Sequence, residues 1–296
     1  MKLALGTAQF GMQYGVANRV GQPSEVEVKE ILQIASSHGI NTLDTAIAYG
    51  DCEERFGRIG VPNWQIISKL PAFASDTSNV YEEVRAAVQG SLQRLGVEQI
   101  YGLLLHRPEQ LLEKNGEDLY LALEQVKQDG LVHKTGISIY DPAVLEMILP
   151  SFNFDLVQTP FSPFDQRVVL SGWASRLKSL GIELHVRSIF LQGLLLMQQG
   201  QRASQFDRWS PLWRRWHEWL QDINITALQA CLSFAASIPQ VDLIVVGVEN
   251  TNQLLEIVEA IQRPALAMPD EFCSTDLDLI NPSNWPLLNS VKKTNL

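Results

Sequence analysis

The segment SEVEVKEILQIASSHGINTLDT, residues 24–45, joins a helical period to a short strand through one glycine. Val26, Val28, Ile31, Leu32 and Ala35 read as the apolar stripe of an amphipathic helix, with Ser24 placed to cap its start. Gly39 is placed to end it, and INTLDT (40–45) follows as a strand. The same order of helix, glycine and strand recurs in NVYEEVRAAVQGSLQRLG (79–96), EDLYLALEQVKQDG (117–130) and DQRVVLSGWASRLKSLG (165–181).

Working outward gives eight strand candidates: LALGTA (3–8), INTLDT (40–45), WQIISK (64–69), IYGLLLH (100–106), HKTGISI (133–139), DLVQTP (155–160), IELHVRS (182–188) and DLIVVGV (242–248). Near-continuous apolar runs separated by helices predict a parallel sheet buried on both faces. Eight such units in 296 residues predict an α/β chain folded as a (β/α)8 TIM barrel, one domain over residues 1–296. An open dinucleotide-binding sheet would need G-x-G-x-x-G after the first strand, and LGTAQFGMQYG lacks that spacing.

A formal net charge of −10, with basic residues bunched only in RWSPLWRRW (208–216), argues against a nucleic-acid partner. That aromatic and basic stretch is read as a helix packing its tryptophans on the barrel, not as a membrane-surface helix. Three cysteines without a C-x-x-C pair suggest neither disulfides nor zinc, and no metal is expected. No apolar run reaches the ~18 residues of a membrane span, so a cytoplasmic protein is expected, a monomer or small homo-oligomer with no membrane partner.

Chemistry in such a barrel gathers at the C-terminal ends of the strands. Asp44 closes the second strand, Lys69 the third and His106 the fourth, while Tyr49 lies in the loop after Asp44. An Asp44–Lys69 ion pair beneath Tyr49 would lower the phenol's pKa, and His106 would orient a carbonyl oxygen. Glu183, His185 and Arg187 share a strand face and read as a polar layer inside the barrel. Glu53 and Glu54 read as the solvated start of a short helix, and Cys52 as an unactivated thiol.

Over essentially its whole length the chain resembles the aldo-keto reductase superfamily. The resemblance rests on LGTAQFG, GINTLDTAIAYG followed by EERFG, ISKL, LLLHRP, GIS ending at Ser138, LVQTPFSP with Gln158, LQGLLL, and VVGVEN followed by QLLE. It implies NAD(P)H-dependent reduction of a small aldehyde or ketone, with Asp44, Tyr49, Lys69 and His106 as the catalytic tetrad. It further implies NADPH, or NADH, extended across the barrel top. Gly6, Thr7 and Asp44 would meet the cofactor, Ser138 and Gln158 its carboxamide, Ser188, Gln192 and Gly193 its pyrophosphate, and Gly247, Asn250, Gln253 and Glu256 its adenosine end.

Three positions depart from the family pattern. Ile139 stands where an Asn usually follows the serine, and Arg187 where an aromatic residue usually stacks on the nicotinamide. Gly247 and Gln253 stand near the Lys and Arg that often grip a 2′-phosphate, which weakens the preference for NADPH. Two other classes are consistent with the same residues: a cofactor-binding regulatory or scaffold protein, and a Schiff-base aldolase using Lys69. LGTAQFGMQYGVAN is similar to reductases of bacterial sugar and polysaccharide pathways, which implies a sugar-derived carbonyl.

Overall fold

The computed structural model describes residues 2–16, 18, 21–74 and 79–285. Eight strands close a barrel in sequence order: β1 (Leu3–Gly6), β2 (Thr42–Asp44), β3 (Gln65–Leu70), β4 (Ile100–Leu105), β5 (Val132–Ser138), β6 (Leu156–Pro160), β7 (Glu183–Arg187) and β8 (Leu243–Gly247). Every neighbouring pair is parallel, and β8 closes on β1 with Leu3 opposite Ile244 and Gly6 opposite Gly247. Six strands fall inside the run predicted for them, β3 runs one residue past its run to Leu70 and β5 starts one residue before its run at Val132, and the fold is the (β/α)8 barrel.

Parallel neighbours require a crossover, and the helices supply it. In the helix Glu25–Ser37, Ser24 Oγ accepts from the Glu27 N–H at 3.2 Å, and Glu25 and Glu27 complement the positive end of the dipole. Its Val28, Ile31, Leu32 and Ala35 are buried against the sheet, the three larger side chains contributing about 1.5–3 kcal/mol each. Val26 is 69% exposed, contrary to the stripe read from sequence. Residues two apart lie about 200° round a helix, so Val26 and Val28 cannot share the buried face. The segment 165–181 holds two helices, Arg167–Leu170 and Trp173–Ser179, where one was predicted. Gly172, at φ +80°, interrupts the ladder between them.

Inside the barrel, Ile67, Leu104 and Leu156 form a small apolar plug, separate from the large shell between sheet and helices. Toward the strand N-termini lies the polar layer: Lys134 pairs with Glu183, Tyr101 Oη accepts from Lys134 Nζ at 2.8 Å, and His185 Nε2 sits 3.4 Å from Glu183. Toward the C-termini, Asp44, Lys69 and Gln158 occupy the opposite rim. The helix Ser210–Asp222 buries Trp213 and Trp216 against Phe164, with ring centres 5.5 and 5.4 Å away, so its aromatic face is spent in packing. Among the described residues, no helix is long and apolar enough to cross a membrane.

Candidate active site

The turn after β2 lays Tyr49 over the rim because two glycines let the backbone pass close. Gly50 adopts φ +56°, and a Cβ on Gly11 would lie 1.8 Å from the Tyr49 carbonyl oxygen. Below Tyr49, Lys69 Nζ donates to Asp44 Oδ1 at 2.6 Å and to the Thr45 carbonyl at 2.9 Å. The ammonium lies 5.4 Å from the centre of the Tyr49 ring. The His106 ring stands edge-on to Tyr49 at 6.1 Å between centres. The structure thus gathers all four residues of the expected tetrad.

Asp44 and Lys69 are only 4% and 1% exposed, so each charge depends on its partner. The second carboxylate oxygen of Asp44 accepts from Gln158 Nε2 at 2.6 Å, and Ser138 Oγ donates to Gln158 Oε1 at 3.3 Å. Ser138 and Gln158 therefore stand behind Asp44 as a buried relay rather than on an open wall. Thr7 Oγ1 donates to the Asp44 carbonyl at 3.0 Å and ties β1 to the same rim.

Burial, reinforced by the cations of Lys69 and Arg187, pushes the His106 pKa down to about 4, so the imidazole is neutral at pH 7. Burial also lowers Lys69, with Asp44 opposing. The expectation for Tyr49 is reversed: burial, helped by the Asp44 charge, raises its phenol above the ordinary value. Asp44 neutralises the ammonium that was to acidify it, and Arg187 is the cation that pulls the other way. Cys52 is pushed up to about 11 by burial and rests 3.3 Å from Thr7 Oγ1, an inert packed thiol.

A cavity of about 450 Å³ opens beside the tetrad, lined by Gly6, Thr7, Asp44, Tyr49, Arg187, Ser188, Gln192, Gly193, Gly247, Gln253 and Glu256 of the predicted residues. Its volume lies in the range of small-molecule and cofactor sites. Asn250 is set back: its side chain accepts from the Gln253 N–H at 2.9 Å, capping the helix Thr251–Ala260. In the loop after β7, Ser188, Leu191 and Gln192 take φ of 61°, 46° and 53°, followed by Gly193 at 90°. Such strain costs about 1–3 kcal/mol per residue and collects at ligand-binding loops. Within the loop, the N–H groups of Leu191, Gly193 and Leu194 donate to the carbonyls of Ser188, Phe190 and Leu191.

The departures at Ile139 and Arg187 are connected, since Arg187 Nη2 donates to the Ile139 carbonyl at 3.0 Å. The guanidinium also lies 4.5 Å from the Tyr140 ring centre. Residues missed from sequence include Tyr14, whose hydroxyl accepts from Gln192 Nε2 at 3.1 Å, and Gln9, Thr226 and Glu249 on the cavity wall. Thr226 had a legible signal, the T-x-x-Q capping box it forms with Gln229. Glu53, read as solvated, is 2% exposed and accepts from Ser68, Ser91 and Arg94. Among the described residues no cluster of three His, Cys, Asp or Glu is placed to hold a metal ion.

Residues 2–270 match the family model described as "Aldo/keto reductase family". The chain is 28% identical over 254 residues to an uncharacterized oxidoreductase, YqkF, of Bacillus subtilis, covering 78% of this chain and 80% of the relative. It is 27% identical over 147 residues to D-arabinose 1-dehydrogenase of Saccharomyces cerevisiae, covering 47% of this chain and 42% of that one. In structure it resembles the holo form of aldo-keto reductase AKR11C1 from Bacillus halodurans, with a TM-score of 0.71 at 21% identity, covering 90% and 88% of the two chains. That last likeness bears on the fold alone.

Proposed function

The chain belongs to the aldo/keto reductase family, and on that premise we propose that it reduces an aldehyde or ketone to an alcohol with Tyr49 as proton donor. As a member of the family it is an oxidoreductase, and carbonyl reduction in general is its chemistry. The observation that carries the finer reading is the buried Asp44–Lys69 pair, set under Tyr49 and beside a neutral His106 at the mouth of the cavity. A nicotinamide dinucleotide, NADPH or NADH, bound in that cavity would supply the hydride.

Each residue then has a task. His106, neutral at pH 7, donates a hydrogen bond to the carbonyl oxygen and polarises it. Tyr49, its pKa raised, keeps its proton until alkoxide character develops, and then gives it up to the stronger base. Lys69 stabilises the phenolate left behind, and Asp44, itself held by Gln158, fixes the ammonium there. Lys69 is buried and ion-paired, which argues against a free amine poised for a Schiff base.

A sugar-derived carbonyl is the proposed substrate class, supported by the similarity to D-arabinose 1-dehydrogenase. The test is Tyr49→Phe. Turnover of aldoses and simple aldehydes should fall by roughly 10²–10⁴ while dinucleotide binding stays within a few-fold, because only a transition-state donor is removed. Unchanged turnover would retire the mechanism.

A further inference from the structure

The cavity has two chemically different ends. Tyr49, Asp44 and Arg187 stand at one, while the other is bounded by the starts of the helices Ala227–Ala236 and Thr251–Ala260. Tyr49 must meet the reacting carbonyl, so the reactive ring of a dinucleotide belongs at its end and the adenosine at the other. The polar wall of that far end includes Thr226, Glu249, Gln253 and Glu256. Among the described residues neither glutamate makes an ion pair, and the cavity's one Arg or Lys is Arg187, at the tetrad end.

Three of the N–H groups at these helix starts are already engaged. The Gln253 N–H donates to Asn250 at 2.9 Å, the Glu249 N–H to Gln253 Oε1 at 2.8 Å, and the Gln229 N–H to Thr226 Oγ1 at 3.2 Å. A phosphate dianion there would face two carboxylates and no cation among the described residues. A ribose diol would instead find carboxylate acceptors, the means by which dinucleotide sites hold a free 2′-hydroxyl.

We propose that Glu249 and Glu256 make this chain select NADH over NADPH by binding the adenosine ribose hydroxyls and repelling a 2′-phosphate. The inference rests on reading the cavity as a nicotinamide dinucleotide site, and it inverts the preference that the family resemblance implies. Glu256 is exposed and Glu249 half-buried, and burial raises the pKa of Glu249, so discrimination strengthens as Glu249 ionises.

The test is equilibrium binding, read from cofactor fluorescence and tryptophan quenching without turnover. Wild type should bind NADH about tenfold or more tightly than NADPH at low salt, the ratio shrinking as salt rises. AMP should displace NADH, and adenosine 2′,5′-bisphosphate should displace it far less well. Glu249→Gln/Glu256→Gln, checked for folding by circular dichroism, should narrow the ratio by strengthening NADPH binding. NADPH bound as tightly as NADH by the wild type overturns the inference while leaving the dinucleotide reading intact. A ratio unchanged in the double variant overturns the assignment to these carboxylates. Saturable binding of neither cofactor overturns the dinucleotide reading and the inference with it.

Discussion

Replacing Lys69 by methionine keeps the volume and removes the charge, so it isolates the ion pair beneath Tyr49. In the wild type Asp44 receives Lys69 at 2.6 Å and Gln158 at 2.6 Å while only 4% exposed. Without Lys69 the carboxylate keeps one neutral donor, and breaking a buried pair from one side costs about 3–5 kcal/mol. That is a large part of the ~5–15 kcal/mol that holds a domain together. Urea unfolding should show the loss as a lower midpoint with the m-value unchanged. Asp44→Asn alone strands the ammonium and should cost a similar amount. The double variant Asp44→Asn/Lys69→Met should cost about 2–3 kcal/mol less than the sum of the singles. Additive losses would refute the view that these two charges stabilise each other.

Two further outcomes follow from the same geometry. The His106 pKa is depressed to about 4 in the folded protein, against about 6.5 unfolded. The unfolded state binds the extra proton between those values, so this histidine makes stability rise with pH across that window by up to ~3 kcal/mol, and His106→Gln should flatten the slope in acid unfolding curves. Glu53→Ala leaves Ser68, Ser91 and Arg94 without their common acceptor and should lower urea stability by about 3 kcal/mol, whereas Glu54→Ala should change it by under ~0.5 kcal/mol.

What could be read in the chain beforehand depended on whether the deciding interaction is local. Strand positions follow from short, near-continuous apolar runs and from the glycines that close several of the helices, so Asp44, Lys69 and His106 could be placed on one rim by counting residues from strand ends. Ser24 and Asn79 cap helices through neighbours three residues away, at Glu27 and Glu82, and were equally legible. Glu53 was not, because its fate depends on Ser68 and on Arg94, 41 residues further along, which only the folded barrel brings together. The break at Gly172 was missed for the opposite reason: an apolar period continues through it while one dihedral angle ends the helix. The roles of Ser138 and Gln158 behind Asp44 depend on pairing across β5 and β6, which no spacing rule encodes.

The raised pKa of Tyr49 bears on the direction of the chemistry. A phenol acidified toward neutrality would spend time as phenolate, and the donor would be missing from part of the population. Burial holds the proton on instead, and in the proposed reduction a forming alkoxide would be basic enough to take it. The difficulty would then move to the phenolate left behind in a poorly solvated site. The Lys69 ammonium lies 5.4 Å from the Tyr49 ring centre, but Asp44 offsets part of its charge, so Arg187 would add to the stabilisation, its effect on Tyr49 opposing that of burial. An aromatic residue at position 187 would provide no such charge. The departure at Arg187 is thus a change in the electrostatics of the proposed proton donor as well as in the surface offered to a ring, and its hydrogen bond to the Ile139 carbonyl holds the charge in place.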